Sequence, residues 1–138
     1  MPKSLQEELE HLTQRINSYA KLDVVDIAFD TGQKIEVYVA MDKETRSQGL
    51  KGFRELDVDG MLFYFDRPAS SPFTMEGMEM DLDIAWFDSS GRLIDHGTYA
   101  KDHKFPIICQ EQFSYVLECA ANSFHGANLS IKASDGEG

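Results

Sequence analysis

The stretch FTMEGMEMDLDIAWFD, residues 73–88, places three methionines and four carboxylates ahead of an apolar run. Three of its acids, Glu76, Glu79 and Asp81, lie within six residues in a predicted turn. Carboxylates at this density could surround a hard cation such as Ca²⁺. Their spacing matches no EF-hand loop, so an acidic turn in contact with water is the alternative interpretation.

The methionines of the same stretch, Met75, Met78 and Met80, carry thioethers that soft Cu(I) accepts as ligands. Methionine is also a common gap-filler in apolar cores. Because residues 73–88 contain neither histidine nor cysteine, we expect the methionines to pack rather than to bind copper. The sequence therefore predicts no cofactor.

Asp83 lies within LDIAWF, residues 82–87, where apolar residues occupy both faces of a predicted strand. A carboxylate buried there needs backbone N–H groups or an arginine as partners, and Arg46 is the candidate arginine. Alternatively, Asp83 is a desolvated carboxylate with a shifted pKa beside a pocket. We predict a shallow ligand-binding pocket from five residues: Arg46, Phe73, Met75, Glu76 and Asp83.

Motifs of the common enzyme classes do not occur in the sequence. It contains no HExxH zinc motif, no GxSxG nucleophile elbow and no glycine-rich phosphate loop. We therefore predict no catalytic residue, and we favour a non-catalytic protein.

The chain of 138 residues is strongly acidic, with 24 acidic and 13 basic residues and a formal net charge of −11. A field of that sign repels nucleic-acid phosphates and anionic lipid, and it attracts cations or basic proteins. The sequence shows no apolar run of membrane-spanning length and no secretory signal, so we expect a cytoplasmic protein. Its two cysteines, Cys109 and Cys119, are expected to be free thiols.

Residues 4–20 predict an amphipathic helix that begins with a capping box formed by Ser4 and Glu7. Five apolar residues recur at spacings of four and three and share one stripe: Leu5, Leu9, Leu12, Ile16 and Tyr19. The stripe predicts a docking element. It packs either against the rest of the domain or against a second copy of the chain.

From Leu22 onward the apolar period changes to that of strands. DTGQ separates two alternating segments and predicts a hairpin, and residues 42–50 predict a short helix that begins at Asp42 and ends at Gly49. Further strands are predicted at residues 60–65, 72–76, 82–87, 92–100, 113–120 and 128–133. The expected fold is mainly β, a small barrel-like or sandwich domain spanning residues 22–133. We expect residues 1–21 to form a helical extension and residues 134–138 to form a disordered tail.

Several segments resemble an uncharacterised family, the domain of unknown function 192. The matching segments are TRSQGL (45–50), GMLFYF (60–65), FTMEGMEMDLDIAWFD (73–88), SSGRLI (89–94) and YVLE (115–118). Their order and spacing agree with the family over residues 34–119. The resemblance implies a compact, mostly β, barrel-like domain with a short helix, and it implies no activity.

The chain departs from the family pattern between residues 74 and 81. Thr74, Glu76, Gly77, Met78 and Asp81 stand where the family has Trp, Lys, Asn, Thr and Pro. The change from lysine to glutamate reverses the local charge. If relatives use that lysine to hold an anion, this chain is not expected to hold one at this position.

Three functions follow from the sequence as hypotheses. The first, which we favour, is a non-catalytic binding or accessory domain with a pocket near residues 73–83 and a cationic or protein partner. The second is a structural subunit that assembles through the stripe of the N-terminal helix. The third is a metal-dependent enzyme that uses the carboxylates of residues 76–83.

Overall fold

A computed structural model describes residues 4–7, 9 and 22–131 of the chain. In chain order its elements are β1 Val24–Phe29, β2 Lys34–Ala40, α1 Lys43–Gln48, β3 Gly60–Ala69, β4 Leu82–Phe87, β5 Leu93–Tyr99, β6 Phe113–Ala120 and β7 Leu129–Ser130. Residues 5–7 and 9 are also helical. Within this described part of the chain, the helices lack the length and apolar character needed to cross a bilayer. The predicted mainly β class is confirmed.

The strands form one curled, half-barrel sheet in the order β5-β4-β6-β3-β2-β1-β7. β2 and β3 are parallel, and the other neighbours are antiparallel. β6 is an interior strand, the third of seven, with β4 on one side and β3 on the other. Because both faces of this interior strand are buried, its sequence, FSYVLECA, is a nearly continuous apolar run rather than an alternating one.

Both faces of the sheet are buried, and each supports its own core cluster. Tyr115 and Leu117 of β6 belong to the first cluster, whereas Phe113 and Val116 belong to the second. The two cysteines are free and buried, one in each cluster. This confirms the prediction of free thiols.

Helix α1 has the boundaries that its capping residues predict. The Asp42 side chain accepts a hydrogen bond from the backbone N–H of Thr45 at 2.7 Å, and this satisfies a donor that the first turn leaves free. Gly49 ends the helix with a φ of 51°, a conformation that favours glycine.

The strand predicted at residues 72–76 is wrong. Only Phe73 pairs there, through an isolated bridge to Ile107. The Phe73 ring packs against Phe63 and Trp86 of the sheet, and Met75 is fully buried. The alternating apolar residues of this segment therefore reflect a loop that covers the face of the sheet, not a ladder of backbone hydrogen bonds.

The predicted start of the N-terminal helix is confirmed. Ser4 N–H donates to Glu7 Oε1 at 2.9 Å, and Glu7 N–H donates to Ser4 Oγ at 3.2 Å. Leu5 and Leu9 are buried in the first core cluster of their own chain. The rest of the stripe, Leu12, Ile16 and Tyr19, lies outside the described residues, as does the predicted tail at residues 134–138. Self-association through the stripe stays a prediction.

We expect Gly60→Ala to destabilise the protein by about 3 kcal/mol. A Cβ atom at Gly60 would overlap the carbonyl oxygen of Glu118 where β3 passes β6, and backbone there has no room to yield. Chemical denaturation measures the loss. Gly97→Ala is the matched control, because the nearest atoms to its Cβ would belong to the ring end of Tyr99, which can move, and not to backbone. Equal losses in the two variants would contradict this account.

A cleft over strand β6 as the candidate functional site

A cleft of about 530 Å³ opens between helix α1, the covering loop and the sheet. α1 and the turn after it form one side, residues 71–74 with Met78 form the other, and β3 and β6 lie beneath. Its size lies within the range of small-molecule sites in proteins.

Glu118 forms the floor of the cleft. It projects from β6, its side chain is 1% exposed, and its neighbours in register are Met61 on β3 and Ile84 on β4. Both neighbours are apolar. In the described part of the chain, two buried side-chain polar atoms lack a hydrogen-bond partner, namely Glu118 Oε1 and Trp86 Nε1. A carboxyl group so placed is costly unless something outside the chain satisfies it.

Burial raises the pKa of Glu118 from 4.5 to about 8. Desolvation is the whole cause, because the apolar surroundings penalise the charged form of the carboxyl group. At neutral pH the group is therefore a carboxylic acid that carries an O–H donor. A neutral carboxylic acid at the floor of a cleft can donate one hydrogen bond to a ligand, and its carbonyl oxygen can accept another.

The walls of the cleft are aromatic, with Phe63, Phe65 and Phe73 among the lining residues. Phe63 and Phe73 meet edge to face with centroids 5.5 Å apart. The guanidinium of Arg46 lies over the Phe65 ring, 4.7 Å from its centroid. It also donates to the carbonyl oxygens of Met41 and Tyr64, the latter at 3.1 Å. Arg46 is thus held in a fixed position in the wall.

Three cations line the cleft: Lys43, Arg46 and Lys51. Glu118 is the only acid among the described lining residues. The described ion pairs involve other residues, so Lys43 and Lys51 have no carboxylate partner in this part of the chain. The cleft is therefore locally positive, in a protein whose formal net charge is −11.

Asp83 does not pair with Arg46, so the predicted ion pair is wrong. Its carboxylate accepts hydrogen bonds from Thr98 Oγ1 at 2.6 Å and from the backbone N–H groups of Asn122 and Phe124, each at 2.9 Å. Asp83 points to the sheet face opposite the cleft, because it pairs in register with Cys119 rather than with Glu118. The other expected partners of a buried carboxylate, backbone N–H groups, are confirmed.

The hydrogen bonds of Asp83 decide its charge state. Burial acts to raise the pKa of this carboxyl, but hydrogen bonds from Thr98, Phe124, Asn122 and Ser123 outweigh it and hold the pKa below its usual value. The ionised group fixes the turn that follows β6, where Asn122 has a φ of 67°. Asp83 is therefore a structural anchor.

The acidic turn does not form a common ligand set. Glu79 pairs with Arg54 at 3.6 Å, and Asp81 accepts from the backbone N–H of Lys101 at 2.8 Å. Glu76 is exposed. Across residues 4–7, 9 and 22–131, no group of three His, Cys, Asp or Glu side chains is placed to hold a metal ion.

Two of the five predicted pocket residues, Arg46 and Phe73, line the cleft together. Met75 is buried in the second core cluster, and Glu76 and Asp83 do not line the cleft. Sequence reasoning missed Glu118, Lys43 and Lys51. A signal for Glu118 was available, because it is the one charged residue in an eight-residue run that is otherwise apolar apart from a serine.

A second cavity, of about 470 Å³, lies near the turn after β6 and includes Leu117, Cys119 and Phe124 in its lining. Burial raises the pKa of the Cys119 thiol to about 11, so this sulfur is not a nucleophilic thiolate. None of its described lining residues has a buried polar atom without a partner. The cleft over β6 is therefore the better candidate.

Comparison with known proteins identifies the family of the chain. The model of the family DUF192, described as "Uncharacterized ACR", matches residues 25–135. The chain belongs to this family. All cleft residues fall inside the DUF192 match. The resemblance noted in the sequence is thus confirmed, and a search of curated proteins gives no match.

Two solved structures resemble this DUF192 chain. One is a protein from Sinorhizobium meliloti, described as a candidate transcription regulator, with 28% identity and a TM-score of 0.65 over 82% of this chain and 95% of that one. The other is a protein of unknown function from Novosphingobium aromaticivorans, with 20% identity and a TM-score of 0.65 over 78% and 84% of the two chains. The second likeness shows the fold alone.

Proposed function

We propose that this protein is a non-catalytic binding module for a small, apolar organic anion, held in the cleft over β6. The observation that carries the proposal is the Glu118 carboxyl group. It is buried and unpartnered at the floor of a cleft lined by three cations. A ligand that fills the cleft removes the cost of the unpartnered group.

Charge and shape support the same ligand class. Lys43, Arg46 and Lys51 favour an anion, and the aromatic walls favour a flat or apolar body. The local positive charge attracts a small anion although the whole chain is acidic, because close charges act more strongly than distant, screened ones. The partner expected from composition alone was a cation or a basic protein. The cleft favours the opposite charge.

The two alternative functions have less support. The carboxylates of residues 76–83 contact separate partners, which gives little support to a metal-dependent enzyme. Leu5 and Leu9 pack into the core of their own chain, which gives little support to assembly through the N-terminal helix. The S. meliloti relative is described as a candidate transcription regulator, but a net charge of −11 opposes contact with DNA phosphates. Free thiols favour a reducing compartment, and we propose the cytoplasm.

The test is an NMR titration of the ¹⁵N-labelled protein with 2-naphthoate and with its neutral isostere, 2-naphthamide. We expect 2-naphthoate to shift the amide resonances of α1, residues 71–74 and β6. We expect the amide to bind about tenfold more weakly, because it lacks the charge that the cations attract. The double variant Lys43→Gln/Lys51→Gln should lose this preference for the anion.

Lys101→Gln/Lys104→Gln is the matched control. It removes the same two charges from exposed positions outside the cleft, so the preference should persist. Equal affinity for the two probes in the parent protein, or no shift at the cleft, would contradict the proposal. So would an equal effect of the two double variants, because attraction would then depend on net charge alone.

A further inference from the structure

We infer that the natural ligand of the cleft carries an oxygen acceptor at the end opposite its anionic group, and that the Glu118 carboxylic acid donates a hydrogen bond to this oxygen. The class is an oxo acid, an organic anion with a carbonyl group on an apolar body. The inference rests on the proposed function and specifies its ligand.

The chemical character of the lining residues changes from the bottom of the cleft to its mouth. Glu118 and Phe63 are buried at the bottom, Phe65 and Phe73 are half-buried, and Lys43 is exposed at the mouth. A ligand that spans this depth therefore presents its anionic group to the mouth, an apolar body to the rings and its inner end to Glu118.

The surroundings of Glu118 determine what the inner end of the ligand must be. The residues in register with Glu118 on β3 and β4, Met61 and Ile84, are apolar, and the covering loop contributes neutral Ser71 and Thr74 to the cleft. The charged groups facing the cleft come from α1 and the turn after it, namely Lys43, Arg46 and Lys51. No described side chain hydrogen-bonds to Glu118 Oε1. A protonated carboxyl group has a proton to donate, and Oε1 has no partner in the described part of the chain, so a ligand oxygen that accepts this proton would satisfy it.

Binding of such a ligand is linked to a proton. Burial raises the pKa of Glu118 to about 8, and ionisation above that pH removes the donor and adds a negative charge next to the carbonyl oxygen. We expect the dissociation constant to rise about tenfold between pH 7 and pH 9. By the same linkage, the bound ligand should raise the pKa of Glu118.

The test uses a matched pair of probes, 4-acetylbenzoate and 4-isopropylbenzoate, which have nearly the same shape and differ in the carbonyl oxygen. We expect the acetyl compound to bind roughly fivefold more tightly at pH 6.5, the usual contribution of a neutral hydrogen bond. Glu118→Leu should abolish this preference. Glu118→Gln keeps a neutral donor, so it should retain the preference and lose the pH dependence.

Three outcomes would overturn the inference. One is equal affinity for the two probes. Another is a preference that survives in Glu118→Leu. The third is binding of 4-acetylbenzoate that does not weaken above pH 8, which would mean that binding does not need the proton of Glu118. In each case, binding of 2-naphthoate would leave the proposed function standing, whereas failure of every anionic probe to bind would reject both.

Discussion

Replacing Glu118 with glutamine should stabilise the protein by about 3 kcal/mol more at pH 8 than at pH 5. Glutamine has nearly the same shape and cannot ionise. Any constant cost of burying its amide is the same at both pH values, so it cancels in the comparison. The part of the stability difference that changes with pH therefore reports only the ionisation of Glu118.

The sign follows from the two pKa values of Glu118. The unfolded chain releases this proton near pH 4.5, whereas the folded protein keeps it up to about pH 8. Between these values the folded state binds more protons than the unfolded state. The contribution of Glu118 to the free energy of unfolding of the parent protein is therefore largest below pH 4.5, and it falls as the pH rises through this window. In Glu118→Gln this decrease in the free energy of unfolding is absent, because glutamine does not ionise.

Urea denaturation of both proteins at pH 5, 6.5 and 8 measures the effect. Glu76→Gln is the control, because it makes the same chemical change at an exposed position outside the cleft. A constant offset between the parent protein and Glu118→Gln at all three pH values would contradict the account. It would mean that Glu118 ionises in the folded protein as it does in the unfolded chain.

Replacing Asp83 with alanine should destabilise the protein by about 3 kcal/mol at neutral pH. The change removes the acceptor for the Thr98 hydroxyl and for two backbone N–H groups, at Asn122 and Phe124. These donors are partly buried, and the turn after β6 would lose the group that holds it.

The same variant should change how stability depends on acid. Hydrogen bonds hold the pKa of Asp83 below its usual value in the folded state, so its contribution is present above pH 3.8 and is lost as the pH falls through the folded value. The parent protein and Asp83→Ala should thus converge in stability at low pH. Asp81→Ala is the control, since exposed Asp81 accepts from one backbone N–H. Equal losses at positions 81 and 83 would contradict the assigned role.

Local signals explain the elements that were correctly predicted. Asp42 and Gly49 set the ends of α1 through short-range capping bonds, and DTGQ joins two strands that pair with each other. The apolar run of residues 82–87 has the bounds of β4, because a strand buried on both faces needs apolar residues throughout. Each of these features depends on residues that are close together in the sequence, so one sequence is enough to predict it.

Long-range geometry explains the errors. Residues 72–76 alternate like a strand, but their backbone finds a partner only at Ile107. Arg46 and Asp83 have opposite charges, yet Asp83 lies on the sheet face away from the cleft that Arg46 lines. The two-residue period of a strand assigns successive residues to opposite faces of the sheet, but it does not show which element covers each face. Charge complementarity alone therefore gave a false pair.

Glu118 shows how the candidate site could have been found. It alternates with Leu117 and Cys119, so strand periodicity places it on the face opposite these residues. That both faces are buried follows from the interior place of β6 in the sheet, which depends on its pairing with β3 and β4. The lysines near it come from α1 and the turn after it, some 70 residues earlier in the chain.

The most direct measurement is a ¹³C NMR titration of the Glu118 carboxyl group, with and without 4-acetylbenzoate. We expect a midpoint near pH 8 in the free protein and a higher midpoint with the probe present. The resonance is assigned by its absence in Glu118→Gln. A midpoint near pH 4.5 that the probe does not move would contradict the account, because Glu118 would then be neither an unpartnered acid nor the floor of a ligand site.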